Sequence, residues 1–241
     1  MKTRRLSEID LARLAALTPG PQLEHALRSY DAGGGAWSYD PVRSSTSDIV
    51  GANTPLFERL AQPPWEKIGR QIEIACKRGE VQAQANLEVG KVLFEGARRK
   101  GWSAVHFPMG RLPIGITETV RYWSDVLLAD QDGVFIPFFD HRRKDGIENR
   151  SIRQIVFSMQ HLWVRERHPD VSEARLAIIQ FPTAKDTRRI HVEFHREADL
   201  LPYAEIDKRI RIVYETWARV LDERRRRAPE TGTGGPNPFG F

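Results

Sequence analysis

The sequence predicts an α/β (α+β) protein with a central mixed sheet of about five strands flanked by helices. Three observations carry this. Apolar residues recur at helical spacing over 64–100, 150–167 and 202–226. Between them lie five short stretches rich in β-branched and aromatic residues: WSAVHFP, TVRYWSDVLL, VFIPFFD, ARLAIIQFP and RRIHVEFHR. The order is helix, helix, three strands, helix, two strands, helix. A helix that crosses from a hairpin to a later strand makes a mixed sheet with helices laid over it.

Each element has a local reason. Pro64 suits a first helical turn, Trp65, Ile68, Ile72 and Ala75 share a face, and Gly79 ends the run. A second helix follows from about Glu80 to Lys100, with Ala85, Val89, Val92 and Leu93 on its apolar side. Arg98, Arg99 and Lys100 favour its C-terminus. ADQDG supplies a tight turn between TVRYWSDVLL and VFIPFFD. VFIPFFD is almost wholly apolar and reads as buried, although Pro137 weighs against pairing on both edges. Asn149 caps the helix from Arg150, whose buried stripe is Ile152, Ile155, Val156, Met159, Leu162 and Trp163. RRIHVEFHR alternates, with Ile190, Val192 and Phe194 on one face and His191, Glu193 and His195 on the other. Pro202 opens a last helix that runs out into DERRRR.

The organisation that follows is a flexible N-terminal arm with short helices over 1–62, a single α/β domain over 63–226 and a flexible Pro/Gly-rich tail over 227–241. The arm carries AGGGAWSYDP and VRSSTSDIVGANTP, which bury little apolar area. Trp37 and Tyr39 are its candidates for docking on the domain or on a partner.

With 40% apolar and 29% charged residues, most of the 241-residue chain is expected to fold as a soluble globule. One cysteine, Cys76, excludes an intrachain disulfide framework and fits a reducing compartment. No stretch is long and apolar enough for a membrane span, and MKTRRLSEID has no apolar run behind it to make a signal peptide. A cytoplasmic location is therefore expected. The net charge of +5 and pI near 9.5 permit nucleic-acid binding without requiring it. AGGGA lacks the lysine and hydroxyl residue of a phosphate loop. Zinc spacing, a serine nucleophile elbow and a leucine zipper are also missing, so nicotinamide, ATP and haem are not indicated.

The stretch SDVLLADQDGVFIPFFDHRR carries the chemistry that the sequence offers. A hairpin brings Asp125 and Asp140 toward one end of the sheet, and arginines follow at once. This arrangement is similar to the core of the PD-(D/E)XK nuclease-like superfamily, over roughly residues 80–195. The resemblance implies a restriction-endonuclease-like core. It places Asp125 as the first acid, Asp140 as the second, Arg142 at the family's lysine position and Glu88 as the helix acid. Asp125, Asp140 and Glu88 would then hold Mg²⁺, a hard cation that takes oxygen ligands and activates water. Arginine stays protonated and cannot act as a general base, but its fork of donors holds phosphate. The resemblance thus implies a metal-dependent phosphodiesterase of weak or lost activity, acting on DNA or RNA.

The residues leave alternatives open. Asp140 at a strand end either binds a metal or caps the following turn. His141, Arg142, Arg143, Lys144 and Arg150 lie near a helix N-terminus and would contact a phosphate, a nucleic acid or an acidic partner, or simply face solvent. His191, Glu193 and His195 share a strand face but have no fourth ligand. Arg224–Arg227 either touch nucleic acid or complement a helix dipole. Beside the nuclease-like reading stand two others. One is a non-catalytic scaffold or adaptor that binds a protein partner through its arms and basic surface. The other is an α/β enzyme with a pocket elsewhere.

Overall fold

The computed structural model describes residues 6–30, 38–53, 61–113, 119–120, 124–142, 146–184, 187–196 and 200–227. Trp37, Arg143, Lys144 and all of the expected tail after Arg227 lie outside these residues. Among the described residues, no helix is long and apolar enough to cross a membrane.

Among the described residues the N-terminal region forms four short helices: α1 (Glu8–Ala15), α2 (Pro21–Ser29), α3 (Asp40–Ser44) and α4 (Thr46–Val50). Ser7 caps α1 by accepting the Asp10 amide at 3.1 Å, and Pro21 starts α2. Two longer helices follow, α5 (Trp65–Ala75) and α6 (Glu80–Arg99). Then come β1 (Ser103–His106), β2 (Leu112–Pro113), β3 (Thr119–Val120), β4 (Val126–Asp130) and β5 (Gly133–Asp140). Helix α7 (Arg150–Gln160) crosses to β6 (Arg175–Gln180). A small ribbon, β7 (Thr183–Ala184) with β8 (Thr187–Arg188), leads to β9 (His191–Phe194) and α8 (Tyr203–Arg227).

The main sheet has the order β1-β4-β5-β6-β9. Only β5 and β6 run parallel, as the α7 crossover requires; the other neighbours are antiparallel. Gly133, at φ 113°, makes the β4–β5 turn, and Asp130 accepts the Asp132 amide there at 2.9 Å. β5 sits in the middle of the sheet despite Pro137. Its pairing with β4 stops at Phe135, whereas its pairing with β6 continues to Asp140. The proline therefore falls where one side of the strand is already unpaired. The stretch TVRYWSDVLL is not one strand. Thr119–Val120 joins a separate ribbon with β2, and β4 starts only at Val126.

Apolar side chains pack on both faces of the sheet. On one, Ile136, Phe138, Leu176 and Ile178 meet α1, α2, α7 and α8 through residues such as Leu11, Leu27, Ile155, Trp163 and Trp217. On the other, Phe135, Phe139, Ala177 and Ile179 meet α3 to α6 through Val42, Ile49, Ile72 and Leu93. The described part of the region expected as an arm thus differs from that expectation: Leu11, Ala12, Leu23, Leu27, Val42 and Ile49 are all buried. α7 is also shorter than its pattern implies. It ends at Gln160 and passes into one π-helical turn over His161–Arg165, where the Glu166 amide reaches the His161 carbonyl at 2.9 Å.

α2 is tied to the last turns of α8. Arg28 pairs with Glu24 and Glu223, and Arg219 reaches Glu24 at 3.1 Å. Arg224 donates to the carbonyls of Leu27, Arg28 and Tyr30 and so closes the C-terminus of α2. This arginine of the terminal basic run is exposed but is engaged by the end of α2.

Candidate functional site

The residues singled out in the hairpin meet helices from the N-terminal region at the end of β5. Asp140 is 2% exposed. Its carboxylate accepts the Ile147 amide at 2.7 Å, the Gln180 Nε2 at 3.0 Å and the Arg142 amide at 3.3 Å. Asp140 and Gln180 are register partners at the ends of the two parallel strands. Gln180 also donates to the Ile147 carbonyl at 3.0 Å, so the loop after β5 is fastened at both its donor and its acceptor. Gly146 packs directly against this carboxylate, and a Cβ there would overlap Asp140 Oδ2. Asp140 thus holds its own loop, the capping role that its position left open.

Arg142 turns away from Asp140 to α1. It makes a two-pronged pair with Asp10, at 2.7 Å to each oxygen, and donates to Ser7 Oγ at 3.1 Å. Tyr30 donates its hydroxyl to the same Asp10 at 2.9 Å. The Arg142 pair and the Ser7 and Tyr30 bonds hold the Asp10 carboxyl below its usual value despite its burial, and the Tyr30 hydroxyl, desolvated beside Asp10, is displaced upward.

Glu88 and Asp125 are held elsewhere. Glu88 pairs with the buried Arg188 at 3.3 Å. Arg188 also donates to the Tyr39 hydroxyl at 2.7 Å and the His141 carbonyl at 3.0 Å. Tyr39 stacks on His141, with ring centroids 5.9 Å apart, and so docks its segment onto the domain. Asp125 lies at the bend before β4, where Oδ1 accepts the Met109 amide at 3.2 Å and its carbonyl accepts the Phe107 amide at 3.1 Å. Among the described residues, no group of three or more His, Cys, Asp and Glu side chains is placed to hold a metal ion. His191, Glu193 and His195 form no such group; Glu193 pairs with Arg153 at 3.2 Å.

Sequence reasoning missed the partners that give these residues their roles. Asp10, Glu8, Arg43 and Arg188 are all part of this buried polar cluster. Glu8 pairs with Arg43 at 3.0 Å, yet burial outweighs that pair and moves the Glu8 carboxyl upward. One signal was readable: LSEID sets two acids within the first turn of an apolar-faced helix, where one of them has to face inward.

His141 is a buried imidazole within the cluster. It is 1% exposed, stacks between Phe139, Phe181 and Tyr39, and neither ring nitrogen has a hydrogen-bond partner among the described residues. Burial first, then the nearby charges of Arg43 and Arg188, press its pKa from 6.5 to about 3. The unfolded chain therefore binds a proton that the folded chain refuses between these values. The stability His141 confers is full above about pH 6.5 and is lost as pH falls toward 3. Between pH 7 and 5 this group alone is expected to lower unfolding free energy by about 2 kcal/mol. Glu8, with its raised carboxyl, works in the opposite sense, so the comparison needs a variant. Urea unfolding of His141→Phe beside wild type at both pH values isolates the effect, and equal slopes in the two proteins would exclude it.

The comparisons with known proteins do not point to a nuclease. A family model described as "Sliding clamp-binding bacterial toxin SocB" matches residues 9–227. The curated protein "DNA replication inhibitor toxin SocB" of Caulobacter vibrioides (strain NA1000 / CB15N) is 36% identical over 238 residues, which covers 98% of each chain. No solved structure matches. These findings overturn the resemblance to the PD-(D/E)XK superfamily. With it go the restriction-endonuclease-like core and the metal-dependent phosphodiesterase. The five-stranded mixed sheet between helices stands, but many unrelated proteins share such an order of elements. Arg142, read as a phosphate contact, is already bound to Asp10. A match that runs from the first helix to the end of the last is a match of the whole fold, and the chain belongs to the SocB family.

Proposed function

We propose that this chain is a non-catalytic inhibitor of bacterial DNA replication that acts by binding the DNA sliding clamp. The observation that carries this reading is similarity along nearly the whole length to a protein of that description, at 36% identity with 98% of both chains covered. It agrees with the adaptor alternative left open by the sequence. The local chemistry supports it, since Asp140, Asp125, Glu88 and Arg142 are each engaged in contacts that hold the chain together. A protein that acts on the replication machinery of a bacterium meets it in the cytoplasm.

The test is direct. The purified chain, mixed with the purified sliding clamp of its host, is expected to co-elute with it in size exclusion. Induced expression is expected to arrest incorporation of labelled thymidine before growth slows. A clamp that elutes unchanged, at concentrations well above micromolar, would rule the reading out.

A further inference from the structure

The two edges of the main sheet are finished differently. On the β1 side, Asn53 forms a parallel bridge to Val105. Its amide donates to the Ala104 carbonyl at 3.2 Å, and its carbonyl accepts the His106 amide at 2.9 Å. That edge is covered by the chain itself. On the other side, among the described residues, β9 pairs only with β6. The His195 amide donates to the Leu176 carbonyl at 2.9 Å, and the register sets Ala177 opposite Phe194 and Ile179 opposite Val192. In an antiparallel ladder the bonded pairs alternate, so Val192 and Phe194 direct their amides and carbonyls away from β6, to the open edge.

A groove of about 590 Å³ runs beside this edge. One wall is a single stripe of α7, Arg150, Arg153, Gln154 and Phe157, at the spacing of one helical face. The other is β9 itself, where His191, Glu193 and His195 are joined by Val192 and Phe194, with Arg196 beyond its end. The described lining carries three arginines and one carboxylate, Glu193, which pairs with Arg153. On the opposite side of the same strand, Ile190, Val192 and Phe194 pack on the apolar cluster under α6.

We propose that the β9 edge is a docking surface for an extended acidic segment of a protein partner, which adds a sixth strand to the sheet. Main-chain bonds to Val192 and Phe194 would hold it, as in other strand-addition complexes. Successive side chains of an added strand point to opposite faces. One set meets the arginine-lined groove and favours glutamate or aspartate; the other meets the apolar side and favours valine or isoleucine. The open amides and carbonyls select a polypeptide over a nucleic acid, which has no matching backbone. This surface does not depend on the identity of the partner under the proposed function.

The test uses a fluorescein-labelled octapeptide of alternating valine and glutamate, read by anisotropy on the full chain. Three controls accompany it: the same peptide with lysine for glutamate, one N-methylated at alternate residues, and a single-stranded oligothymidylate. The glutamate peptide is expected to bind at least about tenfold tighter than the lysine and N-methylated peptides. Val192→Pro is expected to cost a similar factor with the far-UV spectrum unchanged, because proline is tolerated on an open edge. R150E together with R196E is expected to weaken the glutamate peptide and strengthen the lysine one. Equal binding of the N-methylated peptide would overturn strand addition, even if Val192→Pro failed to fold. Displacement of the peptide by oligothymidylate at equal strength would overturn it too, and would mark the groove as a general polyanion site.

Discussion

Asp140→Ala is expected to lower the unfolding free energy by about 3–5 kcal/mol, a large part of the total for a chain of this size. Its carboxylate is buried and receives the Ile147 amide, the Gln180 side chain and the Arg142 amide. Alanine strands those donors in a site closed to water, at about 1–3 kcal/mol for each buried donor left unmade. The sign is what discriminates. Acids gathered to hold a metal repel one another when the metal is missing, so removing one stabilises the metal-free protein. An acid that fastens a loop does the reverse. Urea unfolding in EDTA decides between them, and an unchanged or raised midpoint would show that Asp140 does not hold the loop. Gly146 provides a second reading of the same contact. Gly146→Ala presses a methyl group into the Asp140 carboxylate and is expected to cost about 1–3 kcal/mol. Once Asp140 is alanine that clash is gone, so the double variant is expected to lose less than the two single losses combined.

Trp217→Ala is expected to cost about 3–5 kcal/mol. The indole is fully buried on α8 in the cluster that joins α1, α2 and α7 to the sheet. Tyr30 meets it edge-on, with centroids 5.5 Å apart, and the Arg224 guanidinium lies 5.4 Å from its ring centre while closing the end of α2. Its loss therefore removes packing and loosens the seat of α2 together. Limited proteolysis is expected to cut first around residues 17–30 in the variant and not in wild type. A variant that melts with wild type would show that α2 is held by its ion pairs alone. Trp217→Phe, which keeps an aromatic ring, is expected to recover most of the loss.

The long elements were legible because each carries its own pattern. α6 repeats apolar residues over five turns, and α8 shows Ile206, Ile210, Val213, Trp217 and Val220 on one side. Asn149 was readable as a cap and accepts the Ile152 amide at 3.0 Å. The N-terminal helices were hidden by their shortness. α3 and α4 have five residues each, too few for a period to show, and their burial comes from α6 rather than from their own sequence. The site failed for a related reason. Asp140 and Arg142 stand two residues apart and look like one device, but their partners, Gln180 and Asp10, lie 40 and 132 positions away. Neighbours in the chain suggested a metal and a phosphate; neighbours in space are a loop and a helix. A polar residue closing the apolar run of β5 and another closing that of β6 was the trace that the sequence did hold, since register partners sit side by side.

The bonds between α2 and α8 span about two hundred residues: Arg28 to Glu223 is a separation of 195, and Arg224 to Leu27 one of 197. A ribosome delivers α1 and α2 about two hundred residues before α8, so these helices wait through that stretch of synthesis for the element that covers them. Contacts at such separation are also the slowest to form. The cover of α2 therefore stays incomplete until α8 emerges. A nascent or truncated chain lacking α8 leaves Leu23, Leu27 and Tyr30 without their cover and is a ready substrate for proteases. Such an order of assembly delays the fully folded product until α8 has left the ribosome.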